Sequence, residues 1–303
     1  MKKTSETIVF FGSGPVAAAS LAHLASIFSI EAVVTKARPA HHREAAPVEV
    51  LATDKNLPLL FANTKQELDN LLDTSRFTSR IGIIVDFGVI VSQKAIDSFE
   101  LGIINSHFSL LPEWRGADPI TFAILSGQAK TGVSLMLIEP TLDTGKLLTQ
   151  KSLPITPDET TPTLTEKLVN LSNLLLEEYV PRYVQGEAKP RSQPHPDRAT
   201  YSRKLTKEDG VIDWAKPAAR LEREVRAYIE WPRSRTTLDG KEVIVLSARV
   251  VPGEAHQPGA VTVDDRRSKI TIATSEESLQ IDTLQPAGKK AMTAQAFLLG
   301  NLK

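Results

Sequence analysis

Two patterns of apolar and polar positions divide this chain. In the first half, short apolar runs alternate with amphipathic stretches. Ile8–Phe11, Ile30–Val34, Ile81–Val85, Gly102–Asn105 and Val133–Ile138 have the length and continuity of buried strands. Between them, Val16–Ser26, Val48–Lys55, Lys65–Leu72 and Ile120–Leu125 repeat apolar residues at helical spacing. Parallel strands need a long crossover, usually a helix, so this alternation predicts an α/β fold with a mostly parallel, helix-covered sheet. Thr163-Leu164-Thr165-Glu166 has the form of a capping box, and Leu164, Leu168, Leu171 and Leu175 follow at helical spacing. A long helix is therefore predicted to close this half near Tyr183.

From Gly186 to Thr200 the pattern stops: three prolines and no apolar run predict an extended linker. Beyond it, Pro217–Ile229 places Leu221, Val225 and Tyr228 on one helical face. Short β-type runs follow at Val243–Leu246, Ala260–Val263, Ile270–Ala273 and Leu279–Leu284, separated by turn signals such as Asp239-Gly240 and Pro258-Gly259. Several short strands in about a hundred residues predict a small barrel or sandwich. The expected domains are residues 1–186, a linker at 187–203, and residues 204–303.

Composition narrows the function. The 303 residues include no cysteine, which excludes a disulfide scaffold, a thiolate nucleophile and Cys-ligated zinc or iron–sulfur sites. No window reads as a signal-peptide core or a membrane span, so a soluble, cytoplasmic protein is expected, with no membrane partner. The 36 Lys and Arg balance 36 Asp and Glu, but unevenly: residues 189–303 carry 20 basic and 15 acidic side chains, and residues 1–188 carry 16 and 21. A basic C-terminal half is compatible with a polyanion contact, and equally with ordinary surface variation.

Gly12-Ser13-Gly14, with Ala17 at the third position, follows the first strand and opens a helix, where a dinucleotide fingerprint sits. Lys36 and Arg38 stand where the ribose-binding acid belongs, so nicotinamide binding is not expected. Gly145-Lys146 lacks the Ser or Thr of a phosphate loop. His41-His42 lacks the spacing of a zinc helix, and no metal is expected. The densest chemistry runs from Gly102 to Ile120. Asn105 and His107, two apart in a strand, share a face near the C-terminal edge of a parallel sheet, where ligands bind in such folds. Leu142-Asp143-Thr144-Gly145 exposes a carboxylate after the next strand. If Asp143 meets His107, it can orient the ring and raise its pKa. Taken separately, His107 could equally satisfy a core hydrogen bond, and Asp-Thr-Gly could be a surface turn.

Together, Asn105-Ser106-His107, Ser109-Leu110-Leu111-Pro112, Trp114-Arg115-Gly116 with Pro119-Ile120, and Leu142-Asp143-Thr144-Gly145 resemble the signature of the folate-dependent formyltransferases. Leu284-Gln285-Pro286-Ala287-Gly288-Lys289-Lys290-Ala291-Met292 is similar to the C-terminal domain of those members that act on methionyl-tRNA. So is Ala199-Thr200-Tyr201 leading through Lys204-Leu205 to Ile212-Asp213-Trp214. The resemblance implies a doubly wound, Rossmann-like formyltransferase domain followed by an OB-like β-barrel. It implies formyl transfer from 10-formyltetrahydrofolate, a substrate rather than a permanently bound cofactor, to the α-amino group of initiator methionyl-tRNA, by a monomer. It further implies a catalytic trio of Asn105, His107 and Asp143, with Ser109, Leu110, Leu111, Pro112, Phe87 and Gly88 at the folate. Arg38, Arg43, Lys289 and Lys290 are the expected tRNA contacts. Phe87 stands where the family more usually has tyrosine, and Asp118 where a small apolar residue is common. Sugar-nucleotide and glycinamide-ribotide formyltransferases, and hydrolases of formyl-folate, would share the first-half chemistry. A non-enzymatic RNA-binding protein would leave the trio unexplained.

Overall fold

The computed structural model describes residues 6–38, 45–253, 257–264, 266 and 268–301. In chain order the first elements are β1 (Thr7–Phe11), α1 (Pro15–Ile27), β2 (Ser29–Thr35), α2 (Pro47–Asp54), β3 (Leu59–Phe61), α3 (Lys65–Thr74), β4 (Gly82–Ile84), α4 (Gln93–Asp97) and β5 (Ile103–His107). They continue with β6 (Arg115–Gly116), α5 (Pro119–Ser126), β7 (Lys130–Leu137), β8 (Leu147–Pro154), α6 (Thr161–Val184) and β9 (Tyr201–Ser202). The last are α7 (Ala218–Ala227), β10 (Ser234–Leu238), β11 (Lys241–Val251), β12 (Val261–Val263), β13 (Ile270–Ala273), β14 (Ser278–Pro286), β15 (Met292–Thr293) and α8 (Ala294–Asn301). These elements form two compact units. The first comprises the chain up to Gly116, Lys130–Leu153 and Thr165–Tyr201; the second comprises Ala117–Ala129, Pro154–Leu164 and the chain from Ser202 onward.

The first unit is built on a seven-stranded sheet in the order β3-β2-β1-β4-β5-β7-β8. The chain winds outward from β1 to β3, returns to β4 on the other side of β1 and continues to β5, with all of these pairs parallel. The sheet is therefore doubly wound, as expected. The Val133–Ile138 run breaks the parallel order: it forms β7, antiparallel to β5, with Asn105 opposite Met136 and His107 opposite Ser134. The strands read as continuous apolar runs because both faces are covered; Ile8, Val9, Phe10, Val33, Val34 and Ile83 are fully buried. β3 and β8 went unpredicted: Leu59–Phe61 is only three residues long, and Leu147–Pro154 becomes polar after Thr149. In α3, Thr64 caps Glu67 N while the Glu67 carboxylate accepts from Asn63 N at 2.8 Å. The capping box expected at Thr163 lies one turn too late. α6 starts at Thr161, and Thr160 N donates to Thr163 Oγ1 at 3.0 Å, so Thr163 closes the first turn instead of opening it.

The stretch read as a linker is not free of structure. Arg191 bridges to Leu147, Gln193 is buried, and residues up to Tyr201 belong to the first unit. No described helix is long and apolar enough to cross a membrane.

In the second unit an antiparallel sheet runs β10-β11-β14-β13-β12, with β15 pairing β14. Register shifts around Ser247 bend the long β11–β14 pair, which is how such a sheet curls into the half-barrel of an OB-like domain. Its core joins Val243, Val245, Ile270, Ile272, Leu279 and Ile281 of the sheet to Leu221 and Val225 of α7 and Phe297 and Leu298 of α8. Each such side chain, fully buried, contributes about 1.5–3 kcal/mol.

Candidate active site

Pleating decides what β5 presents. Ser106 Oγ meets Ser172 Oγ of α6 at 2.7 Å, so the face bearing Ser106 is the one α6 covers. Asn105 and His107 share the opposite face. Asn105 is half-buried, and its amide makes no hydrogen bond among the described residues, which leaves both N–H groups available to a ligand. His107 is 5% exposed.

Past His107 the chain turns through Ser109–Pro112, and the neighbouring strands hold that turn from below. Ser134 Oγ of β7 donates to Ser109 O at 2.6 Å and accepts from Leu111 N at 3.0 Å; Gln150 Nε2 of β8 donates to Leu111 O at 2.8 Å. Ser109 Oγ itself donates to Glu113 O, and Leu111 packs with Met136 and Leu147. Ser109 and Leu111 thus spend their side chains on the turn, whereas Leu110 remains half-buried.

Trp114 follows in the left-handed region, φ 54°, which turns its carbonyl toward the site. His107 Nε2 donates to that carbonyl at 2.9 Å. A carbonyl only accepts, so the Nε2 proton is fixed, and in the neutral ring Nδ1 carries the lone pair. Nδ1 faces Asp143 Oδ2 at 3.8 Å, beyond a hydrogen bond. The same Oδ2 accepts from Gly116 N at 2.7 Å. Asp143 is held at φ 51°, and the turn closes at Gly145, where an added Cβ would lie 1.7 Å from Leu137 O. Only glycine permits that approach.

Burial pushes His107 below the ordinary histidine value of 6.5. Asp143 and the hydrogen bond to Trp114 pull it back up, while the Arg115 charge adds to the depression. The expectation of a raised pKa is therefore corrected. Asp143 acts in the expected direction, but at 3.8 Å without a hydrogen bond it does not offset the lost hydration of the ring. Linkage sets the sign of the consequence: the neutral ring contributes fully to stability above pH 6.5 and progressively less as pH falls, because the unfolded chain then binds the proton more readily. The stability of the wild type relative to His107→Gln is expected to stay constant above pH 6.5 and to decrease below it in melting curves. An increase on acidification would mean that Asp143 holds the ring protonated.

The other expected site residues fall in several places. Phe87 is 3% exposed and packs edge-on against Phe11, 5.7 Å between ring centres, inside the core. Gly88 follows at φ 68° and is exposed. The Gly12-Ser13-Gly14 turn is a structural junction: Ser13 N donates to Asp86 O at 2.9 Å and Ser13 Oγ to Phe87 O at 3.1 Å. A Cβ on Gly14 would lie 2.3 Å from the Asp86 carboxylate, so an acid occupies the space next to the start of α1, where a bound phosphate would need positive potential. In the second unit, burial pushes the Asp118 carboxyl up. Lys289 and Lys290 are exposed in the turn between β14 and β15, which is closed by Lys289 N donating to Pro286 O at 3.0 Å. Arg38 is exposed at the end of β2; Arg43, His41 and His42 lie outside the described residues. Sequence reasoning missed Ser134, Gln150 and Gln193, which act on loop backbone and so leave no periodic signal.

A doubly wound sheet with an Asn-x-His strand end, an Asp-x-Gly turn closing on it and an OB-like second unit defines a formyltransferase. Residues 7–180 match the formyl transferase family and residues 204–302 match the formyl transferase C-terminal domain, so the chain belongs to that family. Methionyl-tRNA formyltransferase of Roseiflexus castenholzii is 36% identical over 299 residues, covering 97% of this chain and 95% of that protein. Among solved structures, the N-formyltransferase of Helicobacter canadensis in complex with folinic acid and dTDP-3-aminofucose shares the fold at TM-score 0.69 and 16% identity, over 92% of this chain and 98% of that one. HypX of Aquifex aeolicus in complex with tetrahydrofolic acid does so at TM-score 0.66 and 14% identity, over 99% of this chain and 48% of that one.

Proposed function

We propose that this protein transfers the formyl group of 10-formyltetrahydrofolate to the α-amino group of initiator methionyl-tRNA, acting as a cytoplasmic monomer. The acceptor rests on the likeness to the Roseiflexus enzyme over nearly the full length of both chains. The chemistry rests on one geometric observation: His107 is buried with Nε2 donating to Trp114 O and Nδ1 facing Asp143, and it shares a strand face with Asn105, whose amide makes no hydrogen bond among the described residues.

In this reading the free α-amine attacks the formyl carbon, and Asn105 donates to the formyl oxygen as negative charge grows there. His107 Nδ1 takes the proton the amine must lose, and Asp143 stabilises the resulting imidazolium. The C–N10 bond of the folate breaks, and the proton passes to N10 directly or through water, so His107 returns to its neutral form. Asp143 plays its part at this second stage, where a raised ring pKa is useful. The backbone of Ser109–Pro112 and the Phe87-Gly88 turn line the folate.

Assaying formyl transfer to charged methionyl-tRNA alongside release of free formate tests the reading. Transfer with little formate supports it; formate release independent of tRNA would make the protein a hydrolase. For the RNA, Arg38, Arg43, Lys289 and Lys290 are the proposed phosphate contacts. Changing Lys289 and Lys290 together to alanine is expected to flatten the salt dependence of tRNA binding by about one to two units of log K against log salt. An unchanged slope would remove both lysines from the interface.

A further inference from the structure

Gln193 sits in the proline-rich stretch that the sequence reads as a linker, yet it is only 8% exposed. Buried glutamine needs partners for its amide, and among the described residues these partners are Asp143, Gly145 and Arg115, on the loops around the candidate site. Its Nε2 donates to Asp143 O at 2.8 Å and to Gly145 O at 3.0 Å, one N–H for each side of the turn. Its Oε1 accepts from Arg115 Nη2 at 2.7 Å. Gly116, the next residue after Arg115, supplies the N–H that holds Asp143 Oδ2. A single amide thus ties the two loops that fix Asp143, one by its backbone and the other by its carboxylate. The tie has strain to oppose: Asp143 occupies a left-handed conformation, φ 51°, which a residue other than glycine keeps only where its surroundings hold it. Thr200, at the other end of the stretch, holds the companion loop, its Oγ1 accepting from Trp114 N at 2.8 Å and its carbonyl from Arg115 N at 2.9 Å.

We propose that Gln193 is a positioning residue for formyl transfer, setting the placement of the Asp143 carboxylate against His107 Nδ1 without touching substrate. The proposal rests on the catalytic reading of Asp143 given above. Because a displacement of about 1 Å at a reacting group can cost a hundredfold in rate, losing the two donors should appear in turnover rather than in folate binding.

Gln193→Glu is the sharpest test, since it keeps the shape and the acceptor for Arg115 but removes both donors. With the folded fraction checked by circular dichroism, kcat is expected to fall about 10- to 100-fold while KM for 10-formyltetrahydrofolate stays within about twofold. Gln193→Met, neutral and of similar length, supplies the same comparison if the glutamate variant does not fold. A double-mutant cycle with Asp143→Asn separates positioning from general support of the structure: in the Asp143→Asn background the Gln193 change should cost less than about twofold further. Equal losses in both backgrounds, or wild-type kcat in a folded Gln193 variant while Asp143→Asn is impaired, would overturn the proposal and leave the role of Asp143 standing. Wild-type kcat in Asp143→Asn would instead remove that role, and the positioning proposal with it.

Discussion

Asn105→Ala, His107→Ala and Asp143→Ala are each expected to lower kcat for formyl transfer at least about a hundredfold while leaving the fold intact. Each removes a group proposed to act in the transition state. Loss of a single oxyanion donor typically costs about 10² to 10³ in turnover, which sets the scale for Asn105. None of the three is a large apolar side chain, so the core of the first unit loses little volume. The variants should differ in pH dependence. With Asp143 gone, the imidazolium formed by proton transfer loses its counter-charge and His107 becomes a still weaker base. With Asn105 gone, the ring keeps both neighbours, so turnover falls without a shift of the acidic limb. Turnover near the wild-type value in any of the three, with circular dichroism unchanged, would remove that residue from the mechanism.

Gly145→Ala is expected to cost a similar factor although it adds only a methyl group. The added Cβ would lie 1.7 Å from the carbonyl oxygen of Leu137, a backbone atom of a central strand that cannot swing aside. The Leu142–Gly145 turn must therefore move, carrying Asp143 away from Gly116 N and His107. A shift of about 1 Å suffices for a hundredfold loss in rate. The melting temperature should fall as well, because Leu137 N donates to Lys146 O at 2.9 Å immediately beyond the turn. A folded Gly145→Ala enzyme with normal kcat would show that the placement of Asp143 is not critical.

The structure also bears on how the chain could be divided. A cut near Pro196 would remove Thr200, and with it two hydrogen bonds to Trp114 and Arg115. It would equally strip the partners of residues 117–129 and 154–164, which cluster with the second unit: Arg220 and Arg223 both donate to Leu125 O, and Arg226 donates to Glu159 O. A chain cut there is expected to lose the packing of the helix at Pro119–Ser126, which lies in the second unit although its sequence precedes the linker.

Periodicity alone determined much of the fold. A strand covered on both faces needs a largely apolar run, so β1, β2, β5 and β7 were legible from their apolar segments, and helical spacing marked α1, α3 and α6. The shared face of Asn105 and His107 was legible too, since a two-residue offset in a strand puts side chains on one face wherever the strand lies, whereas the proposed trio with Asp143 came from the resemblance to the formyltransferases. Tertiary structure decided the rest. It reversed β7 against β5, because the direction of a strand depends on how its connection crosses and not on its composition. It lowered the pKa of His107, because desolvation comes from every atom packed around the ring whereas the sequence showed only one neighbouring carboxylate. And it drew Gln193 and Thr200 out of an apparent linker onto two loops, because hydrogen bonds to loop backbone follow no repeat along the chain and exist only once distant segments have been brought together.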